Sequence, residues 1–399
     1  MSNIFLIYTI PFVTLFLIFG LIYIDSKKKR EKIITPIISF IMPCFNDEKD
    51  LKEAVQSIYK SYDKFELFIV NDKSTDNSLE VLHQLKKRYN FHLINNKENL
   101  GKTQSINQTV PQTKGDIIFI IDSDTVLTKK AVRSILKRFA YDEKVAAVSC
   151  PYEPKSKGIL ARMQEIEYNQ IRALKTAQNN FSVLGAWGGC VAVKRNPFLE
   201  VGMFSENMLT EDLELALKLY EKGYRVEQSE IQVKSDVPIT IKHWFRQKIR
   251  WNSGGAQCFL THKEAYLKNP LVLIFGFGQI LLIATLIFFF YKYLFSFYTI
   301  AHTFLSITHP INTFIAMMEY IYVVDKLIIM HTIFIKLGFV LFSLPYGIMQ
   351  IHSWKDSYKI IYLAPYSLIY AQFFLVTYVL GWIVGTRKYF KLKRGGRAW

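Results

Sequence analysis

Residues 3–24, NIFLIYTIPFVTLFLIFGLIYI, run without one charged side chain. A stretch of about 22 apolar residues is long enough to cross a hydrocarbon core of roughly 30 Å. A cleaved leader would want a basic start, a shorter apolar core and a small-residue cleavage site. Here MSN carries no positive charge, no A-x-A follows, and DSKKKREK comes directly after the run. The reading is a retained anchor (1–25), with Lys27, Lys28, Lys29 and Arg30 on the cytosolic side and the next domain with them. Residues 270–291, 327–350 and 360–385 read as further spans, and 294–324 as a broken fourth interrupted by THPIN. An even count returns the basic tail (388–399) to the cytosol, so the expected plan is a cytosolic domain (33–240) and interface helices (241–268) before a membrane block (269–387).

Between the membrane segments the chain changes character. PIISFIMPCF (36–45), FELFIV (65–70), FHLI (91–94), DIIFII (116–121) and VAAVSC (145–150) are short apolar runs. The first two are separated by a segment of helical periodicity through Leu51, Ala54, Val55 and Ile58. STDNSLEVLHQLKKRY after the second opens with helix-capping residues. Strand, helix, strand, helix, strand predicts an α/β domain with a parallel sheet wrapped by helices. Ligands in such sheets bind beyond the carboxyl ends of the strands. The acids lie there: Asp47 and Glu48, then Asp72, then Asp122 and Asp124. No G-x-G-x-x-G or Walker lysine motif appears, so dinucleotide and P-loop readings have no support.

The net charge of +17 sits largely beside the apolar segments, where anionic lipid headgroups and topology account for it. No nucleic-acid motif accompanies it. The four cysteines (Cys44, Cys150, Cys190, Cys258) have neither C-x-x-C spacing nor a histidine at zinc spacing, and read as buried thiols.

Asp122 and Asp124 leave the strand at i and i+2, a pattern that suits a hard divalent cation taking one or two carboxylates plus substrate phosphates. Asp124 is the expected direct metal ligand, with Asp122 nearer the ribose or the water shell of the metal. MLTEDLELALKLYEKGYRV (208–226) predicts a helix with Thr210 near its start and Gly223 as its stop. Glu211 and Asp212 then stand in its first turn, as favourable dipole charges or as a general base for an acceptor hydroxyl. HWFRQKIRWNSGG (243–255), if helical, puts Gln247 and Trp251 on one face with Arg250 one turn from Gln247. The same segment suits a membrane-surface helix. VLGAWGGCVAV (183–193), with Trp187 among its glycines, suits close backbone approach to a sugar or a tight turn.

In this order, VNDKSTDNS, ENLGKTQSINQ, DSD, TED and QKIRW resemble the motifs of membrane-embedded, inverting family 2 glycosyltransferases. The match is nearest to bacterial poly-N-acetylglucosamine synthases of the intercellular-adhesin type. The resemblance implies a GT-A (Rossmann-like) cytosolic domain flanked by transmembrane helices in the bacterial plasma membrane. It also implies a UDP-sugar donor, Mg²⁺ or Mn²⁺, a growing polysaccharide acceptor and an export channel, with a small membrane auxiliary subunit as a further partner. Asp72 and Glu48 would serve the nucleotide, Lys102 the nucleotide or diphosphate, and Asp122 and Asp124 the diphosphate–metal unit. Asp212, flanked by Glu211, would be the base. Gln247, Arg250, Trp251 and Trp187 would line the acceptor and diphosphate side. The chain departs from the family at Lys73, where glycine is usual, at the Asp47 insertion, and at GAWGGC. A single-addition lipid glucosyltransferase, or a synthase of cellulose, chitin or hyaluronan, shares much of this motif order.

Overall fold

The computed structural model describes residues 32–269 and 366–393, with Tyr291, Tyr298 and Met318 between them. The expected spans at 3–24, 270–291, 294–324 and 327–350 lie outside the described residues, apart from those three. Among the described residues, no helix is long and apolar enough to cross a membrane.

The core is a seven-stranded sheet in the order β3-β2-β1-β4-β7-β5-β8. Its strands are β1 (Ile38–Cys44), β2 (Phe65–Asn71), β3 (His92–Asn95), β4 (Ile117–Ile121), β5 (Val145–Ser149), β7 (Cys190–Lys194) and β8 (Arg225–Gln228). Helices α1 (Leu51–Ser61), α2 (Ser78–Lys86), α3 (Lys102–Thr109) and α4 (Lys129–Tyr141) make the crossovers. Every residue of β1 and β4 is buried, as expected of central strands covered on both faces. β1 runs parallel to both β2 and β4. The five strands expected from the sequence run parallel to one another, and β7 joins them as an added strand antiparallel to both β4 and β5. Alternation cannot separate the two arrangements, because a strand buried on both faces is uniformly apolar either way. The second half of VLGAWGGCVAV is therefore a strand, and only its glycine-rich first half is a loop.

β1 leads leftward to β2, whereas β4 lies on the other side of β1. The acids after β1 and β4 thus face one crevice at the topological switch point. A small parallel pair, β6 (Tyr152–Pro154) with β9 (Val233–Ser235), closes one side of it. Further along the chain come α5 (Ile159–Gln178), α6 (Arg195–Glu200), α7 (Glu211–Glu221), α8 (Ile241–Thr261), α9 (Lys263–Lys268) and, after a π-turn at Tyr366–Tyr370, α10 (Ala371–Lys393). α8 and α10 pack very closely: a methyl group at Gly381 would fall 2.4 Å from the Cβ of Asn252, and one at Gly385 2.3 Å from the Ser253 carbonyl oxygen. All four cysteines are free and buried.

Lys73 has φ 58°, in the left-handed region, and is exposed. A side chain at such a φ costs about 1–2 kcal/mol, which explains why glycine suits this turn. Lys73→Gly is expected to raise stability by about 1 kcal/mol, offset in part by glycine's entropy in the unfolded chain. A chemical-denaturation midpoint measures it, and an unchanged or lowered midpoint would refute the strain.

Candidate active site

The site is assembled from three strand ends and two helix starts. After β1, Asp47 accepts from the Ser123 hydroxyl at 2.5 Å, so the serine between the two DSD acids ties the β4 exit to the β1 exit. Burial pushes the Asp47 carboxyl above its usual range, against the lowering effect of that hydrogen bond. Asp124 accepts from Ser235 of β9 at 3.2 Å and from its neighbour Thr125 at 3.1 Å. Its pKa rises to about 6, first through burial and then through the negative charge of Asp122.

Lys102, at the start of α3, is the hub. Its Nζ lies 2.7 Å from Asp122, 3.4 Å from Glu211 and 3.1 Å from the Gly188 carbonyl. Burial works against its charge, but Asp122 and Glu211 outweigh it and hold the ammonium above its ordinary pKa. One lysine thus joins the DSD exit, the TED helix and the glycine loop. Nothing in their spacing along the chain, from 102 to 188 to 211, reveals this.

Asp212 stands in the first turn of α7, next to Glu211. Its Oδ1 accepts from the Leu213 backbone N–H at 2.8 Å, and Oδ2 lies against the glycine loop. A methyl group at Gly188 would fall 2.7 Å from that oxygen, so a larger residue there would push the Asp212 carboxylate out of its present place. Burial, then Glu211, raise its pKa to about 6, with Lys102 and Lys175 pulling the other way. A carboxylate poised near neutrality has the driving force a general base needs. The TED and QKIRW segments meet directly: a methyl at Gly254 of α8 would fall 2.3 Å from Thr210 Oγ1.

Other expected site residues fall elsewhere. Asp72 is 2% exposed, and its carboxylate accepts from Asn96 Nδ2 (2.8 Å) and from the backbone N–H groups of Leu100 (2.9 Å) and Gly101 (2.7 Å). It holds the loop that leads into Lys102. Glu48 accepts from the Asn77 N–H at 3.0 Å, which braces the start of α2. Trp187, expected on the acceptor and diphosphate side, is 4% exposed, with its indole N–H donating to Gln228 Oε1 at 2.7 Å. The buried run of Val183–Trp187 decides this, since a loop tryptophan with a polar partner beneath it joins the core. Tyr152 meets Trp187 edge-on at 5.0 Å, and its hydroxyl accepts from the Gly189 N–H.

Gln247, Arg250 and Trp251 do lie on one helix, α8. Arg250 is exposed and donates to the Leu209 carbonyl at 3.2 Å, beside the TED turn. Gln247 Oε1 is buried with no hydrogen-bond partner among the described residues. Trp251 is half-buried, with Lys248 Nζ 4.1 Å from its ring. Lys248 is a residue that motif reasoning passes over. Its ion pair with Glu167 at 2.7 Å spans 81 residues of chain and shows only in the fold.

Acids at a switch point, a bridging lysine and a buried carboxylate beside them share one crevice, an arrangement able to hold a phosphate-bearing ligand and to move a proton. The profile of Glycosyl transferase family 2 matches residues 39–202. Poly-beta-1,6-N-acetyl-D-glucosamine synthase of Staphylococcus aureus is 28% identical over 237 residues, 58% of each chain. The Staphylococcus epidermidis enzyme of the same name is 27% identical over the same share. The alignment thus spans 58% of the length of these relatives. A mannosyltransferase from Pyrobaculum calidifontis, solved with GDP-Man and Mn2+, is similar in fold. Its TM-score is 0.52 at 19% identity, over 90% of this chain and 97% of the other.

Proposed function

We propose that this protein is an inverting, processive membrane glycosyltransferase that polymerises UDP-N-acetylglucosamine and passes the polymer through its own membrane segments. The observation that carries the chemistry is Asp212, a carboxylate raised to about 6 against Gly188 and beside Lys102. Asp212 takes the proton of the acceptor hydroxyl as that oxygen attacks the anomeric carbon. The bond from that carbon to the diphosphate breaks, and nucleoside diphosphate leaves. A single base opposite the leaving group inverts the carbon in one step.

Lys102 and Arg250 supply positive charge on the diphosphate side, Arg250 through a planar fork suited to phosphate oxygens. Asp72 fixes the loop on which the base of the nucleotide rests. The residues fit a divalent cation: Asp122 and Asp124 are oxygen donors, and burial and then the negative charge of Asp122 raise the Asp124 carboxyl, which a cation would relieve. Among the described residues no group of three or more His, Cys, Asp or Glu closes round a metal position. Diphosphate and water would complete the shell, as Mg²⁺ or Mn²⁺ prefers. When bound, the cation neutralises the leaving diphosphate. The sugar and the polymerising activity rest on the names of the staphylococcal relatives and the motif order. The cytosolic placement of the domain and the membrane channel rest on the apolar segments and their basic flanks.

The test is mass analysis of the product made by membranes carrying the full chain, supplied with UDP-N-acetylglucosamine and Mn²⁺. A ladder of N-acetylglucosamine oligomers is expected. A lipid carrying a single sugar would overturn processivity, and no transfer from any UDP-sugar would overturn the donor. Chelation by EDTA is expected to abolish UDP release, and Mn²⁺ or Mg²⁺ to restore it, with Asp124→Ala insensitive to that restoration. Full turnover in EDTA would remove the cation from the reading.

A further inference from the structure

Lys175 belongs to none of the motifs, yet it borders the proposed base. It reaches from α5 onto the glycine loop, where Nζ donates to the Ala186 carbonyl at 3.3 Å and lies 4.4 Å from the centre of the Trp187 ring. The same loop meets the first turn of α7 at two points. A methyl group at Gly185 would fall 3.0 Å from Leu213 Cδ1 and 3.9 Å from Lys175 Nζ. One at Gly188 would fall 2.7 Å from Asp212 Oδ2. Residues 185–188 are thus a thin wall, with Lys175 on one part of it and Asp212 on the other.

Several charged or titratable groups act on or near Asp212: Glu211 on its own helix, Lys102 from α3, Lys175 from α5, Tyr152 from β6 and Cys258 from α8. Only two of them bring positive charge. Lys102 is divided between Asp122 at 2.7 Å and Glu211 at 3.4 Å. Lys175 instead holds a neutral carbonyl and a neutral ring face, which leaves its charge to act on Asp212. Burial lowers the Lys175 pKa to about 8, so ammonium and carboxylate coexist between about pH 6 and 8.

We infer that Lys175 is an electrostatic positioning residue for the proposed base: clamped by Ala186 and Trp187, its ammonium keeps Asp212 ionised and sets the lower pH limit of the reaction. The inference rests on the reading of Asp212 as base. An opposite charge nearby favours the ionised carboxylate, so its loss moves the carboxylate pKa upward.

The experiment is the pH dependence of kcat/KM for UDP release by the full chain in membranes, which reports groups of the free enzyme. Lys175→Gln keeps a donor for the Ala186 carbonyl but removes the charge. Its acidic limb is expected to move up by roughly one pH unit, a loss of about fivefold near pH 6 that vanishes by about pH 8. Lys175→Arg keeps the charge and is expected to retain the wild-type limb. An equal loss at every pH in Lys175→Gln would mean that the lysine only anchors the loop and would overturn the inference. So would a limb displaced in Lys175→Arg, a result that stands even if the glutamine variant does not fold. Turnover surviving in Asp212→Asn would instead sink the base assignment, which separates the two failures.

Discussion

Asp212→Asn is expected to lower kcat by roughly 10²–10⁴-fold while leaving the melting temperature unchanged or slightly higher. The loss is the usual contribution of a positioned general base. The stability follows from the sign of the pKa shift. The folded-state pKa of Asp212 lies at about 6, above the 3.8 of an exposed aspartate, so the fold binds its proton more tightly than the unfolded chain does. The ionised side chain therefore costs stability above pH 6, and a neutral amide of the same shape avoids that cost. The wild-type rate should fall as pH drops through about 6. Scanning calorimetry together with UDP release measures both halves. An Asn variant that loses activity and also unfolds early would mark Asp212 as structural.

Lys248→Met is expected to destabilise the protein by about 3–5 kcal/mol, because it leaves Glu167 charged and buried. Lys248 is fully buried, pairs with Glu167 at 2.7 Å, and lies 4.1 Å from the Trp251 ring and 5.0 Å from that of Tyr168. Glu167 also accepts from the Tyr370 hydroxyl, which in turn accepts from the Trp244 indole N–H at 2.7 Å. Tyr366 adds a hydrogen bond to Gln170 at 2.7 Å. This buried network fastens the π-turn ahead of α10 to α5 and α8, and it seats Trp251 in passing. The double variant Lys248→Met/Glu167→Gln is expected to regain most of the loss, since no unpaired charge remains. Thermal denaturation of the two variants decides it. Equal destabilisation of single and double variants would show that packing, and not charge, holds the junction.

Much of the sheet is legible in residue order. β4 is an uninterrupted apolar run, β1 and β2 are apolar apart from Ser39, Glu66 and Asn71, and the acids that follow them mark the ligand edge from residue order alone. β7 is hidden because its apolar residues follow a glycine loop and carry no sign of their direction. Asp122, Asp124, Glu211 and Asp212 stand out as acids placed at a strand exit and a helix start. Trp187 is ambiguous in the sequence, because an aromatic among glycines reads the same in a loop over a sugar as in a loop folded into the core. Its pairing with Gln228, 41 residues away, is what buries it.

Lys175, Lys248 and Tyr152 give no such signal. A lone lysine or tyrosine on a helix or short strand is ordinary until its neighbours are known. By itself, then, the sequence determined what local rules control: which runs are strands, where the apolar segments lie, and which strand ends and helix starts carry charge. Only the tertiary structure decided which charges meet. Lys102 bridges Asp122 and Glu211, and Gly188 closes on Asp212, because pairings across tens of residues depend on sheet order and helix packing. Coulomb and desolvation effects depend on distance and burial, and neither is written along the chain.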